Sequence, residues 1–411
     1  MKTVERMRIL YVCYLTLDDP LTHTQVVAYL TGLAAAGHDV HLLTFEPGLR
    51  STRRRYWRRR MAALGIRWHG LRYHKQPSLP ATVYDTLAGA VCIAIWSHRY
   101  RLDAVHARSH VPAAMALIAG RLARRRPAFV FDIRGLMVEE YEEAGRWRPG
   151  GAPSRITKAV ENAAIRHADR IVILTEHASR KLLDAESRSR VHVIPCCANL
   201  EQIEAGRSER VRVRRELELE DATVMVYVGK FPSWSMPDAM ADFFSSARQS
   251  IDRLHFLILT QSDGEVIRRE LGRNAADPGS YTVTSVPADQ VGTYLAASDF
   301  AITFIRPAPS TACQSPTKLG EYLGAGLPVV HGAGIGDVDQ LMSPGIGVRV
   351  DQHDPSSHRE AAAAILRLLD DPACRGRCRA AAERYLSLKH VGVPRYLGVY
   401  EAIGGAHGRP R

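Results

Sequence analysis

The stretch Ser315–Val330, S-P-T-K-L-G-E-Y-L-G-A-G-L-P-V-V, predicts a loop, one short helix and the start of a buried strand. Ser315 is a good N-cap residue, and Pro316 suits the first helical position. Gly324 and Gly326 are expected to loosen and end the helix. The apolar residues that follow predict a strand, so this segment is one α/β unit of a larger sheet.

The same helix has the features of an anion-binding site. A helix N-terminus presents backbone N–H groups and a partial positive charge, which together suit a phosphate. Thr317 and Lys318 lie in its first turn, where Lys318 adds a full charge. Glu321 follows one turn later and can accept hydrogen bonds from sugar hydroxyls. The alternative interpretation is an ordinary capped helix in which Lys318 and Glu321 form an i,i+3 surface pair.

Length and composition indicate a globular protein. The 411 residues suggest two domains, and the composition is that of a soluble chain with enough apolar residues for a core. No apolar run reaches the roughly 18 residues that a membrane span needs. The N-terminus leads directly into a strand and lacks the features of a signal peptide, so we expect a cytoplasmic protein.

The seven cysteines are expected to be reduced thiols. They form no Cys-x-x-Cys pair and no zinc-like spacing. Cys374 and Cys378 lie one helical turn apart, and a metal or redox role for this pair is a minor alternative.

The chain is strongly basic, with a net charge of +12 and arginine clusters at Arg53–Arg60 and Arg121–Arg126. Such charge suits nucleic acid, an anionic bilayer or a phosphorylated ligand. Nucleic acid is disfavoured because no recognisable binding module is present. Since Tyr56, Trp57 and Met61 lie in or beside the first cluster, it fits either a helix resting on the inner face of the membrane or a solvated helix.

The first half of the chain alternates between strands and helices, as in a doubly wound sheet. We assign residues 1–200 to this domain and place Thr22–Gln25 in a loop after its first strand. The predicted strands are Met7–Tyr14, Val40–Phe45, Asp103–Ala107, Phe129–Ile133, Arg170–Leu174 and Val191–Pro195, and the predicted helices are Val26–Ala36, Pro112–Leu122 and Ser154–His167.

A polar, charged segment near residue 200 separates this domain from a second α/β alternation, residues 201–385. A final helical segment, residues 386–411, is expected to return to the N-terminal domain. The predicted strands are Thr223–Val228, His255–Leu259, Tyr281–Val286, Phe300–Phe304 and Pro328–Gly332, and the predicted helices are Ala239–Ser250, Ala288–Ala297, Arg359–Leu369, Pro372–Leu386 and Tyr396–Ile403.

Two open parallel sheets in tandem predict a central cleft, with ligands beyond the carboxyl ends of the strands. Polar side chains follow several of these strands, and two domains facing one cleft suit a transfer between two substrates. The candidate segments are Thr22–Gln25, His106–Arg108, Asp132–Arg134, Gly229–Lys230 and Ser315–Glu321.

The chain resembles the retaining nucleotide-sugar glycosyltransferases of the GT-B fold, family 4, over nearly its whole length. The donor motif of the Ser-Pro-Thr-Lys-Leu branch carries the strongest likeness. The supporting segments are D-I-R-G at 132–135, A-D-R-I-V-I-L-T at 168–175, V-I-P-C-C at 193–197, V-Y-V-G-K at 226–230 and A-A-S-D-F-A-I at 296–302.

This resemblance implies a role for each candidate residue. The first domain would bind the acceptor and the second the nucleotide-sugar donor, which is UDP- or GDP-linked. The implied catalytic residues are Lys230, Lys318, Arg134 and His23; the implied donor-binding residues are Gly229, Ser315, Pro316, Thr317, Glu321, Gln314 and Val286; and the implied acceptor-side residues are Thr22, Thr24, His106, Arg108 and Asp132.

The sequence departs from the family pattern at both ends of the implied site. The family carries a pair of glutamates, of which the second is Glu321 and the first falls on Cys313, where Gln314 or backbone amides are expected to substitute. Lys230 replaces an arginine, and Ser235 replaces a lysine. On the acceptor side, residues 22–25 replace a Gly-Gly pair and Arg134 replaces a histidine, which favours an unusual acceptor.

The implied reaction moves a sugar from the donor to an acceptor hydroxyl with retention of configuration. Cations and amides around the diphosphate would stabilise the charge of the leaving group, so no metal and no cofactor is expected. The Asp-x-Asp at Asp337–Asp339 is interpreted as a helix start. Saccharide, lipid-linked and natural-product acceptors remain open, as do two other functions: a nucleotide-sugar epimerase and an inactive binding subunit of the same fold.

Overall fold

The computed structural model describes residues 6–407 except Leu49, Pro77, Ser233 and Ala275. The first five residues of the expected N-terminal stretch and the last four of the C-terminal segment lie outside the described residues. The chain divides into two compact units, Met1–Pro195 with Gly392–Arg411, and Cys196–Val391. The expected boundaries, near 200 and 385, therefore lie within a few residues of the points at which the chain passes between the units.

The first unit is built on a parallel sheet with helices on both faces, the arrangement that its buried strands require. Its strands are β1 Arg8–Cys13, β2 Asp39–Glu46, β3 Ile66–Arg72, β4 Ala104–Arg108, β5 Ala128–Ile133, β6 Arg170–Ile173 and β7 Val191–Val193. Its helices before the crossing are α1 Pro20–Thr22, α2 Ala28–Ala35, α3 Ser51–Ala63, α4 Ser78–Arg99, α5 His110–Leu122, α6 Met137–Glu143, α7 Ala152–His167, α8 Glu176–Leu182 and α9 Ala185–Arg188.

The strand order in this sheet is β3-β2-β1-β4-β5-β6-β7, with parallel pairing throughout the described strands. The order reverses between β1 and β4, which places the switch point of the unit beyond the ends of these two strands. The loop after β1 and the end of β4 at Arg108 therefore face the same crevice.

The second unit repeats this plan with fewer strands. Its strands are β8 Thr223–Val228, β9 Leu254–Leu259, β10 Tyr281–Thr284, β11 Phe300–Thr303, β12 Val329–His331 and β13 Gly347–Arg349. Its helices are α10 Leu200–Ala205, α11 Arg210–Glu216, α12 Pro237–Ala247, α13 Glu265–Arg273, α14 Val291–Ala296, α15 Thr317–Gly324, α16 Val338–Leu341, α17 Pro355–Asp370 and α18 Cys374–Tyr385.

The second sheet has the order β10-β9-β8-β11-β12-β13, again parallel. Two hydrophobic clusters fill its two faces, and the opening motif contributes Leu319, Tyr322 and Leu323 to one of them. The reversal of strand order lies between β8 and β11, so the loops after these strands form the crevice of this unit.

The chain ends in α19, Val393–His407, which completes the first unit. The hydroxyl of Tyr396 donates to a carboxylate oxygen of Asp132 at 3.0 Å. Tyr400 lies 2.8 Å from a ring nitrogen of His106, and Arg395 donates to the carbonyl of Val193 at 2.7 Å. The predicted fold, two Rossmann-like domains with a C-terminal helix packed on the first, is confirmed.

Several elements differ from the sequence prediction. The loop expected after β1 is instead helical from Pro20, where Asp19 caps the first turn and a π-helical turn follows at His23–Val27. Proline at the first helical position and an aspartate before it are favourable there, and this signal was overlooked. Between β2 and β4, a helix was considered only for the arginine cluster that lies in α3. Strand β3 and helix α4 were not predicted.

Helix α4 also corrects the expectation that no apolar segment is long enough to span a membrane. Within the described residues, Ser78–Arg99 is long and apolar enough to cross a membrane, as judged by length and composition. Its single carboxylate, Asp85, is buried and accepts hydrogen bonds from Tyr14 and from the backbone of His74. Because α4 connects β3 and β4 of one sheet, it is a crossover helix of the first unit.

Candidate functional site

The opening motif and the end of β8 meet at the switch point of the second unit. The ammonium of Lys318, in the first turn of α15, lies 4.1 Å from the centre of the Tyr227 ring. An ammonium over an aromatic face is attracted by the negative face of the ring. Lys318 therefore points to the carboxyl end of β8, and this contact replaces the surface pair with Glu321 considered from the sequence.

Gly229 closes this arrangement at the end of β8. Its backbone has a φ of +133°, a conformation that side-chain-bearing residues rarely adopt. A Cβ atom at this position would lie 3.2 Å from the Nζ atom of Lys318. Glycine therefore allows both the turn of the chain and the approach of the lysine.

The electrostatics of the motif follow from its partial burial. Burial lowers the pKa of Lys318 to about 8, and the nearby carboxylate of Glu321 opposes this shift. Burial likewise raises the pKa of Glu321, with Lys318 acting in the opposite direction. At neutral pH the lysine thus holds a poorly solvated positive charge, which favours an anionic ligand.

Helix α15 begins at Thr317, one residue later than predicted. Pro316 is extended, with a ψ of 117°, and occupies the N-cap position. Ser315 precedes the cap, and its side-chain oxygen accepts a hydrogen bond from the N–H of Cys196 at 3.1 Å. The prediction of a serine cap was wrong, because the extended proline moves the serine away from the helix amides; in the described chain, no side chain caps α15.

Two contacts fix α15 against the rest of the unit. The N–H of Val228 donates to the Tyr322 hydroxyl at 2.7 Å, which ties the helix to the end of β8. On the other side, a Cβ atom on Gly320 would lie 3.0 Å from the Cβ of Ala198. The helix ends in a Schellman motif, since Gly326 is left-handed and the N–H of Leu327 donates to the carbonyl of Tyr322.

The remaining donor-side positions lie around this core. Lys230 is exposed after Gly229, and its carbonyl accepts from the Tyr227 hydroxyl at 2.8 Å. Ser235 is buried and donates to the carbonyl of Pro232. Arg306, which sequence reasoning missed, is exposed after β11, and its N–H donates to the carbonyl of Trp234. This backbone bond joins the loops that follow β8 and β11, so Arg306 is a further cation in the crevice loops.

Cys313 and Val286 are both buried, whereas Gln314 is half-buried. Cys313 ends a short 3₁₀ turn, Thr311–Cys313, directly before the motif. Val286 lies just beyond the carboxyl end of β10 and belongs to the hydrophobic cluster under α15. The described residues contain no disulfide bond.

In the first unit, His106 and Asp132 are fully buried. His106 stacks between the rings of Tyr11 and Tyr396, at centroid distances of 4.5 and 5.4 Å. Asp132 accepts from the hydroxyls of these two tyrosines and lies 3.4 Å from His106. Helix α19 covers both side chains, which leaves them no exposed surface for the predicted acceptor contacts.

The pKa values of this cluster follow from burial and charge. Burial alone would raise the pKa of Asp132, but Arg134, His106 and Arg108 together hold it below its ordinary value. Burial lowers the pKa of His106, so its ring is neutral at pH 7. Asp132 is thus an ionised carboxylate inside the first unit.

Two arginines lie next to this cluster. Arg108 ends β4 and donates to the side-chain oxygen of Gln25 at 2.7 Å, while Arg134 approaches the same oxygen at 3.5 Å. Arg134 also forms an ion pair with Asp132, at 3.6 Å. The structure therefore brings together Gln25, Arg108 and Arg134 at the switch point of the first unit.

The polar residues before Gln25 face inward to different degrees. Thr22 is buried and its hydroxyl donates to the carbonyl of Thr16, so the side chain predicted to contact the acceptor has no exposed surface. His23 is half-buried and lies 2.6 Å from the carbonyl of Leu17. Thr24 is half-buried and donates to the carbonyl of Pro20.

Among the residues that the structure describes, no group of three or more histidine, cysteine, aspartate or glutamate side chains could hold a metal ion. Asp337 is the N-cap residue of α16, so the helix start predicted at this Asp-x-Asp is present. Asp339 accepts from the N–H of Gly334 at 2.9 Å.

Comparison with known proteins agrees with this architecture. Residues 22–197 match the family described as a glycosyl transferase 4-like domain. A D-inositol 3-phosphate glycosyltransferase from Catenulispora acidiphila is 29% identical over 273 residues. That alignment spans 61% of this chain and 62% of the relative. The chain therefore matches less than two thirds of the relative's length.

Solved structures match nearly the whole chain. A glycosyltransferase from Rickettsia africae has a TM-score of 0.73 at 13% identity and covers 97% of this chain and 99% of its own. Sucrose-phosphate synthase from Thermosynechococcus elongatus has a TM-score of 0.72 at 17% identity, covering 98% and 100%. HepE from Anabaena, solved in complex with UDP and glucose, has a TM-score of 0.70 at 13% identity, covering 97% and 100%. The chain has the GT-B fold.

Proposed function

We propose that this protein is a glycosyltransferase that moves a sugar from a nucleoside-diphosphate sugar to an acceptor hydroxyl, with retention of configuration and without a metal ion. The match of residues 22–197 to a glycosyl transferase 4-like domain supports the class of activity. The structural likeness to a HepE complex with UDP and glucose supports a UDP-sugar as donor, and a GDP-sugar remains the alternative.

One observation carries the proposal: Lys318 holds its ammonium at the start of α15, beside Gly229 at the end of β8. The first N–H groups of α15 and this charge converge in the crevice of a Rossmann-like unit, which is where such folds bind phosphates. Glu321, one turn further on, has the chemistry to accept hydrogen bonds from the ribose hydroxyls.

In the proposed reaction, the acceptor oxygen forms a bond to the anomeric carbon while the bond from that carbon to the diphosphate oxygen breaks. The acceptor proton passes to the leaving diphosphate, so the products are the glycoside and a nucleoside diphosphate. Lys318 and the α15 amides stabilise the negative charge on the leaving oxygen, and Lys230 and Arg306 add positive charge nearby.

The first unit supplies the acceptor side of the proposal. Of the predicted residues, the half-buried His23 and Thr24 and the largely buried Arg108 and Arg134 remain candidates. Thr22, His106 and Asp132, which have no exposed surface, have structural roles. Two arginines that share Gln25 are suited to acceptor hydroxyls or to an anionic group. The acceptor is a saccharide, a lipid-linked saccharide or a natural product, and a cytoplasmic location fits the supply of nucleotide sugars.

The experiment that tests this proposal is a screen of UDP- and GDP-sugars by thermal shift, since a tightly bound donor raises the unfolding temperature by mass action. The best donor is then incubated with the protein and the products are separated. Slow release of nucleoside diphosphate supports a transferase. Interconversion of two nucleotide sugars would identify an epimerase instead, and binding without either product would identify a binding subunit.

A further inference from the structure

The first unit carries an uninterrupted apolar surface on α4. Six large apolar side chains of this helix are between 48% and 61% exposed, and five of them recur at every fourth position; this α4 stripe consists of Leu79, Val83, Tyr84, Leu87, Val91 and Ile95. At 1.5 Å per residue, the stripe extends over about 24 Å. Single exposed apolar residues are ordinary, but a continuous row of this length marks an interaction surface.

The opposite face of α4 fixes the orientation of the stripe. Asp85 is buried and bonded to Tyr14 and His74, and Gly89 is buried against the Met115 sulfur of α5. Near the C-terminal end, the Trp96 ring lies 4.4 Å from His69 of β3. Since these contacts hold the helix on the sheet, the stripe cannot turn inward without breaking them.

The fully exposed charges around the ends of α4 and α5 are positive. From Gln76 to His98 the one charged side chain is the buried Asp85. Arg99 and Arg101 are exposed where α4 ends, and the α5 arginine cluster, consisting of Arg121, Arg124, Arg125 and Arg126, is exposed where α5 ends. Arg125 donates to Asp103 at 3.0 Å, four residues beyond α4, so the ends of both helices lie at the same edge of the unit.

We propose that the α4 stripe and the α5 arginine cluster form a docking surface for an anionic lipid bilayer. Positions four apart on an α-helix differ by about 40° in direction, so the middle of the stripe, Val83, Leu87 and Val91, would lie among the acyl chains. The arginines would contact lipid phosphates. A bilayer offers this combination of an apolar layer beneath anionic groups. A second copy of the chain is the poorer partner, because it would bring a second set of arginines to a protein of net charge +12.

This surface differs from the one that the sequence suggested. The arginines of α3 are exposed, but Trp57 and Met61 of the same helix are buried in the first unit. Of the three large side chains named in this cluster, only Tyr56 is exposed, whereas the α4 stripe exposes six. Binding of this surface to a bilayer does not depend on the proposed transfer reaction.

The test is co-sedimentation of the full chain with vesicles of phosphatidylglycerol and phosphatidylcholine, compared with vesicles of phosphatidylcholine alone. We expect binding to the anionic vesicles to be at least tenfold tighter. The double variant Leu87→Glu/Val91→Glu should lose most of this binding. The matched control Val211→Glu, which alters an equally exposed residue of the second unit, should bind as the unaltered protein does.

A second pair of variants separates the two arginine clusters. We expect Arg124→Ala/Arg126→Ala to weaken binding to anionic vesicles by about 30-fold, given the contribution of each of the two basic residues near a charged surface. Arg55→Ala/Arg59→Ala, on α3, should have a clearly smaller effect. All variants change exposed residues, so thermal unfolding should confirm that they fold.

Three results would overturn the proposal. The first is equal binding of the unaltered protein to charged and neutral vesicles, or none to either. The second is unchanged vesicle binding by Leu87→Glu/Val91→Glu. The third is a dimer in light scattering that this variant dissociates, which would assign the α4 stripe to a second copy of the chain.

Discussion

The two units share one topology, yet their switch points are occupied in different ways. In the first unit, polar side chains at the ends of β4 and β5 are covered by tyrosines of α19, so His106 and Asp132 are part of the core. In the second unit, Lys318 and Glu321 are only partly buried, and Lys318 lies beside Gly229. The comparison teaches that a polar residue at the carboxyl end of a strand marks a ligand site only where no other element covers it.

The largest expected effect tests the structural half of this comparison. Asp132→Ala removes the carboxylate that accepts from Tyr11 and Tyr396 and pairs with Arg134. Breaking a buried, charged network of this kind costs about 3–5 kcal/mol. Urea denaturation should show this loss, whereas Asp221→Ala, in an exposed pair with Arg253, should change stability little. Normal stability with lost activity would instead place Asp132 in the reaction site.

The next prediction tests whether Lys318 and Glu321 of the second unit bind the donor. Lys318→Ala should lower kcat by about 100-fold and donor affinity less, because the charge on the leaving group is greatest in the transition state. Glu321→Ala should mainly weaken donor binding, by about tenfold, through lost hydrogen bonds to the ribose. The matched control is Lys389→Ala, which alters an exposed lysine of the same unit paired with Glu201. Unchanged donor kinetics in both motif variants would contradict the assignment of the donor site.

Gly229→Ala should show the strain of the turn at the end of β8. A methyl group there meets the Lys318 ammonium, and alanine rarely adopts a φ of +133°. We expect a loss of stability of about 1–3 kcal/mol together with weaker donor binding. The control is Gly272→Ala, where a Cβ atom has no neighbour within 4 Å and φ is not positive. Equal stability of the Gly229→Ala and Gly272→Ala variants would show that the turn at the end of β8 accepts a Cβ atom.

The smallest expected effect is a pH dependence of donor binding. Since the pKa of Lys318 is lowered to about 8, its charge is present below that pH and is lost as the pH rises above it. Titration calorimetry with UDP should therefore show affinity falling several-fold between pH 7 and pH 9. Lys318→Arg keeps its charge over this range and should remove this pH dependence. A profile that is the same in both proteins would exclude Lys318 as the titrating group.

Much of the fold follows from pattern alone. Strands such as β1 and β8 are short apolar runs between turns, and their order with the intervening helices predicts two parallel sheets. Helix α4 was missed because its apolar residues recur every four positions on the exposed face, so it lacks the polar outer face of an ordinary surface helix. The helix at Pro20 was missed although Asp19 and Pro20 are a start signal.

The site was only partly predictable. The glycine and lysine of the second unit were found because turn residues and a charged helix start have local signatures. The burial of His106 and Asp132 depends on Tyr396 and Tyr400, whose contacts span 264 and 294 positions of the chain, and no local pattern predicts such a contact. Tyr227 is a similar case: an aromatic residue two positions before Gly229 was a hint, but its contact with Lys318 is tertiary.

The return of α19 to the first unit has a consequence for the order of folding during synthesis. The second unit begins and ends at neighbouring points, since Ala198 exchanges backbone hydrogen bonds with Leu386 and Leu388. All of its residues are synthesised before Val393. Most of the first unit is synthesised first, but its core is complete only when Tyr396 and Tyr400 have been added. The inserted unit can therefore be complete while the unit that contains it is still unfinished.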